Sequence, residues 1–184
     1  MNLLPRFNQI SASYWRDANR VPITTDGVIT KDTQTLIGNN TAGIAVPLFT
    51  ITGSIEVRGL WGIVTTALGA NNTASYFRLN DQTAQSNITV NTGTTLSSAP
   101  AGSIIVKKDV ASAALTLLSA SQERVSEPTT LETKYFSPFV VVAKPGAETD
   151  IEFIYSTTDT PTSGVIDFFL RWLPLSSDAT VTAK

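Results

Sequence analysis

Asp150 and Glu152 stand two residues apart in Asp150–Ser156, a short run with strand-like alternation. Residues two apart on a β-strand face the same way, and a carboxylate pair so placed could serve as acid and base on a glycosidic bond. The other chemically capable residues are more scattered. Asp26 with Asp32, or Asp178 with a neighbouring loop, could offer oxygens to calcium, but nothing has the spacing of an EF-hand loop. Glycines occur singly in turns, without a cluster that would cradle a phosphate. The sequence holds no Cys and no His. That removes disulfides, thiolate chemistry, the commonest general base, His-based zinc sites and every Ser-His or Cys-His arrangement. We therefore read Asp150 and Glu152 as a solvated strand face and expect no catalysis, no cofactor and no metal.

The elements that carry these residues read as β throughout. The chain has 184 residues, 42% of them hydrophobic and only 15% charged, and Thr occurs 27 times. That length supports one core, and β-branched residues in that proportion favour pleated sheets with a hydroxylated outer face. From Phe49 the odd positions Phe49, Ile51, Ile55, Val57, Trp61 and Ile63 are apolar against polar Thr50, Thr52, Ser54, Glu56 and Arg58. The alternation exceeds ordinary strand length, so a bend or bulge near Gly59 or Gly62 is expected to divide it. Further strands are expected at Ser75–Asn80, Asn87–Asn91, Ser103–Lys107, Ala113–Leu118, Phe139–Ala143, Asp150–Ser156 and Val165–Leu173, separated by Gly/Pro/Asn turns. Ser119–Lys134 reads as a loop. The pattern predicts an all-β protein, a β-sandwich with jelly roll as the leading topology.

Ahead of that domain the sequence changes character. We expect residues 1–43 to form an extended N-terminal arm, 44–175 the β-sandwich and 176–184 a surface C-terminal tail. The arm has few apolar runs but two aromatic-basic clusters, Pro5-Arg6-Phe7 and Tyr14–Pro22. Burying a large side chain gives about 1.5–3 kcal/mol, whereas ordering the backbone costs about 1–2 kcal/mol per residue. Three aromatics cannot order forty residues alone, so the arm must gain hydrogen bonds and buried area along a neighbour. Phe7, Tyr14, Trp15, Arg16, Asn19 and Arg20 are the candidate partner-binding residues. Phe169, outward on the last long strand, joins them. With Leu60 and Val64 on the nominally wet face of the long strand, it suggests apolar surface and self-association as a trimer.

Thirteen basic against fifteen acidic residues give a net charge of −2. No basic stripe exists for phosphate neutralisation, so no nucleic acid is expected as a partner. No run of about eighteen apolar residues would cross a membrane, and no secretory leader opens the chain, so synthesis in a cytoplasm is expected.

Three stretches resemble tailed-bacteriophage virion structural proteins: Arg16–Pro22 with Gly27-Val28 and Asp32–Leu36, Leu48–Gly53 with Ile63–Ala67, and the ending Asp167–Ser176. The resemblance carries no catalytic residues. It implies a capsid decoration or cement protein on the virion surface, made in the host cytoplasm, homotrimeric, with the major capsid protein as partner. A tail, baseplate or fibre component is the alternative. A carbohydrate-binding jelly-roll module is a third, disfavoured because Trp61 and Trp172 fall in core-facing registers.

Overall fold

Branching at Cβ restricts Val, Ile and Thr in helices and suits them to an extended backbone. Among the described residues the chain uses them in eleven strands. These are β1 (Val28–Thr35), β2 (Ile44–Thr52), β3 (Ser54–Thr66), β4 (Asn72–Asn80), β5 (Gln85–Asn87), β6 (Ile104–Val106), β7 (Thr116–Leu118), β8 (Phe139–Val142), β9 (Thr149–Thr157), β10 (Val165–Pro174) and β11 (Thr180–Ala183). The computed structural model describes residues 27–37, 43–70, 72–90, 95–107, 113–118, 138–157 and 163–184.

Two antiparallel sheets pack face to face as a β-sandwich. One has six strands in the order β1-β10-β3-β6-β7, with β8 also paired to β3; the other runs β11-β2-β9-β4-β5. Successive long strands enter opposite sheets, so β1 pairs β10 while β2 pairs β9. The side chains facing inward from both sheets make the core. Phe77, Phe153 and Phe168 are fully buried, and Phe168 of one sheet meets Phe153 of the other at 4.9 Å between ring centroids. Phe77 completes the cluster at 5.6 Å from Phe153 and, edge-on, 6.0 Å from Phe168. Gly62 lies opposite Phe168 on β3, and a Cβ there would come within 3.1 Å of that ring. The missing side chain is what admits the phenyl group.

The long alternation beginning at Phe49 crosses from one sheet to the other. Gly53, at φ 64°, is the corner between β2 and β3. A side chain would be strained at that angle and would also meet Ser176 Oγ at 2.5 Å and the Ala179 nitrogen at 2.8 Å. The expected bulge occurs too: Arg171 pairs with Gly59 while the next residue, Trp172, pairs with Val57, leaving Arg58 as the extra residue of β3. The bulge reverses the phase of the strand. Ile55 and Val57 face inward before it, and Leu60, Gly62 and Val64 after it. Leu60 and Val64 are therefore core residues, 0% and 1% exposed, and do not supply the outer apolar surface expected of them.

Both expected domain boundaries move outward. Val28–Thr35, assigned to the arm, forms β1 and pairs with β10 along its whole length, and Leu36 just after it is fully buried. Part of the expected surface tail forms β11, paired to β2 from Thr180 to Ala183. Deleting residues 1–26 should thus leave a cooperative β-type thermal transition. Deleting residues 1–40 removes a whole strand and the burial of Leu36, alone worth about 1.5–3 kcal/mol, and should abolish that transition. Circular-dichroism melts of the two truncations check both outcomes.

Candidate functional site

Six of the seven residues singled out for partner binding, Phe7, Tyr14, Trp15, Arg16, Asn19 and Arg20, lie outside the described residues. The seventh, Phe169, is half-buried on the outer face of the six-stranded sheet, as its register predicts. Antiparallel pairing places Lys31 on one side of it and Trp61 on the other, with Val106 beyond Trp61. The Trp61 and Phe169 rings are nearly parallel, 10° apart in plane and 5.4 Å between centroids, and the Lys31 ammonium lies 5.9 Å over the Phe169 ring.

Trp61 was expected in the core, and the Arg58 bulge is what turns it out. Two consecutive residues, Gly59 and Leu60, are buried there, a break of period that Gly59 signals in the sequence. The next cross-strand row on the same face is Thr33, Asp167, Ile63 and Ile104. Thr33 donates to Asp167 Oδ1 at 2.7 Å, and the Lys31 ammonium sits 2.7 Å from Asp167 Oδ2. The Lys31 contact, aided by Thr33, holds the Asp167 carboxyl below the usual carboxylate range. Along the Lys31 row the face therefore passes from charged at β1 to apolar from Phe169 to β6, with Asp167 and Arg171 flanking Phe169 on β10. Ile29 at one margin and Val140 and Val142 at the other are 57%, 59% and 66% exposed.

The outer face of the five-stranded sheet is built from other chemistry. Asp150 and Glu152 do face the same way, yet they are only 2% and 4% exposed, and the expected solvated strand face is not found. Cross-strand partners cover them. Arg78 donates to Glu152 Oε2 through Nε at 2.9 Å and Nη2 at 2.5 Å, and Asn80 Nδ2 donates to Glu152 Oε1 at 2.9 Å. Asp150 accepts from Thr50 Oγ1 at 2.6 Å, with the Lys184 ammonium 3.9 Å from its other oxygen. Both carboxylates are thus engaged as acceptors, an arrangement that fixes neighbours in place.

A groove of about 710 Å³ opens beside the Gly53 corner, lined by Thr50, Val142, Lys144, Glu148, Ser176 and Asp178 among others. Of the calcium candidates, Asp26 lies outside the described residues and Asp178 is exposed. Asp32 points inward from β1, 5% exposed, and accepts from Gln34 Nε2 at 2.6 Å. No three carboxylates converge among the described residues. No protein family, curated protein or solved structure matches the chain.

Two expectations follow from these geometries. Removing Arg78 alone leaves Glu152 buried without its cation, so Arg78→Ala should cost about 3 kcal/mol, whereas Arg78→Met with Glu152→Leu should recover most of it. A fall of roughly 6–12 °C in Tm for the single variant, largely restored in the double, is the expected melt. Burial raises the Asp32 carboxyl above its ordinary value despite the Gln34 bond. Because its folded-state pKa exceeds the unfolded one, its favourable contribution is present below the unfolded pKa and is lost as pH rises through the folded pKa. Asp32→Asn should accordingly melt higher than the unsubstituted protein at neutral pH, with the difference gone by about pH 3.

Proposed function

We propose that this chain is a non-enzymatic capsid decoration, or cement, protein of a tailed bacteriophage. It sits on the virion surface as a homotrimer and binds the major capsid protein through its N-terminal arm and its sandwich. The observation that carries the reading is the outer face of the six-stranded sheet, where Phe169, Trp61, Ile63, Ile104 and Val106 form a cross-strand apolar surface. Apolar residues on one outer face, with a charged margin, suit a protein interface better than a solvent surface. The ring faces also argue against a sugar-stacking platform at this site, since Lys31 and Trp61 flank Phe169 from its two neighbouring strands. The likeness of Arg16–Pro22, Leu48–Gly53 and Asp167–Ser176 to phage virion proteins supports the same reading. The nested pairing of β1 with β10 and β2 with β9 supports a jelly-roll winding for the sandwich.

Decoration acts by mass action. A protein that binds the assembled shell and not its dissociated subunits stabilises the shell by its binding free energy. Aromatic and Arg side chains dominate such contacts, and truncating one costs about 2 kcal/mol or more, roughly thirtyfold in affinity. Phe169→Glu with Ile104→Glu, and separately Trp15→Ala with Arg16→Ala, should leave a cooperative melt and sharply reduce occupancy on empty shells of the encoding phage. Wild-type occupancy by both double variants would sink the proposal, and a strictly monomeric mass in light scattering would remove the trimer.

A further inference from the structure

From the opposite face of the sandwich, the geometry points to a binding site for a neutral oligosaccharide on the outer surface of the five-stranded sheet. This inference does not rest on the decoration reading. Pairing aligns Thr182, Thr50, Asp150, Asn80 and Gln85 in one row that crosses all five strands. A second row sets Glu152, Arg78 and Asn87 beside it. The longer row spans four inter-strand spacings of about 4.8 Å, roughly 19 Å, which suits an oligosaccharide better than a single sugar.

A merely wet strand face would leave its polar side chains independent and exposed. Here two buried carboxylates hold the row together. Stability does not call for them, since well-packed apolar residues generally serve as well as a buried ion pair. What the carboxylates accomplish is orientation. Glu152 fixes Arg78 and Asn80, and Arg78 Nη1 in turn donates to Gln85 Oε1 at 2.7 Å. The hairpin bearing Gln85 is pinned as well, because Asp81 Oδ1 accepts from the backbone nitrogens of Thr83 at 2.9 Å and Ala84 at 2.5 Å.

The row keeps hydrogen-bonding capacity for a ligand. Arg78 uses three of its five N–H groups and Asn80 one of its two amide hydrogens among the described residues. Gln85, Asn87 and Thr182 are exposed. Exposed Gln85, Asn87 and Thr182, beside the held Arg78 and Asn80, thus present groups that together give and accept, a set that suits sugar hydroxyls, which do both. Charge selects among ligands. Arg78 is neutralised by Glu152, and Lys184 by Glu148 at 3.0 Å with Asp150 nearby, so neither of these two cations is left for an anionic polymer. Tyr76, half-buried one step back along β4, adds an aromatic ring on the same face.

The test is a titration of the full-length, nitrogen-15-labelled protein with neutral hexaoses of glucose, galactose, mannose and N-acetylglucosamine, each to about 5 mM, the weak end of specific binding. At least one should give saturable amide shifts confined to β4, β5, β9 and β11. Gln85→Ala with Asn87→Ala, both exposed and clear of the core, should weaken that binding about tenfold without changing Tm. The inference is overturned if no hexaose gives saturable shifts, if the shifts map elsewhere, if the double variant binds equally well, or if only sulfated or uronate-bearing oligomers bind. Shell occupancy of the same variant separates this outcome from that of the decoration reading, which predicts wild-type decoration.

Discussion

Phe153 and Phe168 meet across the interior at 4.9 Å, and the geometry of both sheets follows from that contact. Each residue sits on an interior strand of its own sheet. β9 carries Phe153 between β2 and β4, and β10 carries Phe168 between β1 and β3. Two sheets stacked about 10 Å apart need large side chains to fill the gap. Phe77 on β4 joins from the side, and Gly62 on β3 leaves the space that Phe168 occupies. A larger residue at position 62 would displace the ring and disturb both layers together. Tyr155, stacked 6.0 Å from Phe153, extends the cluster to the chain following β1, where its hydroxyl donates to the Ile37 carbonyl at 2.6 Å.

Once the inward set is fixed, the outward set is free to differ between the sheets, and it differs sharply. One outer face stacks Lys31, Phe169, Trp61 and Val106. The other crosses five strands with hydroxyl, carboxylate and amide groups. Neither arrangement is the one that would serve a lone sandwich in water. Apolar area on a sheet face invites association, and buried carboxylates carry a desolvation cost that apolar packing avoids. The two proposals accordingly place protein contacts on one face and a polar ligand on the other.

Strands with apolar alternation were legible in the sequence, and those without it were not. β9, β10 and β8 lie close to their expected spans because Ile151, Phe153, Ile166, Phe168 and Val141 mark an inward face. β1 was missed because its inward positions include Thr30, Asp32 and Gln34, which face the sandwich margin and satisfy one another or their neighbours. Trp172 Nε1, for instance, donates to Thr30 Oγ1 at 3.1 Å. β11, with the sequence Thr-Val-Thr-Ala, offers only Val181 as an inward signal. The bulge in β3 was anticipated from its glycines, but its phase consequence was not, and Trp61, Leu60 and Val64 were each assigned to the wrong face as a result. For Asp150 and Glu152 the spacing gave the shared face. Burial depended on Arg78 and Lys184, which are 74 and 34 residues from Glu152 and Asp150 and become neighbours only through strand pairing.

The strand edges bear on how copies of such a domain can meet. An exposed edge invites another strand, and an inward-pointing charge on the edge strand opposes that pairing. β1 has this device in Asp32, which a docking strand would bury further, with Lys31 beside it. β5 is three residues long and wholly polar, Gln85, Ser86 and Asn87. β11 is followed by Lys184, whose backbone nitrogen donates to the Leu48 carbonyl and whose ammonium is held by Glu148. β7, Thr-Leu-Leu, and β8 have no charge within the strand, and Val140 and Val142 of β8 are exposed. β8 adjoins β3 on the same sheet that carries the Phe169 row, with Val140 opposite Glu56 and Val142 opposite Ser54 near the Gly53 corner. The exposed valines of β8 and the Phe169 row therefore belong to one sheet, and the buried carboxylates of Asp150 and Glu152 to the other.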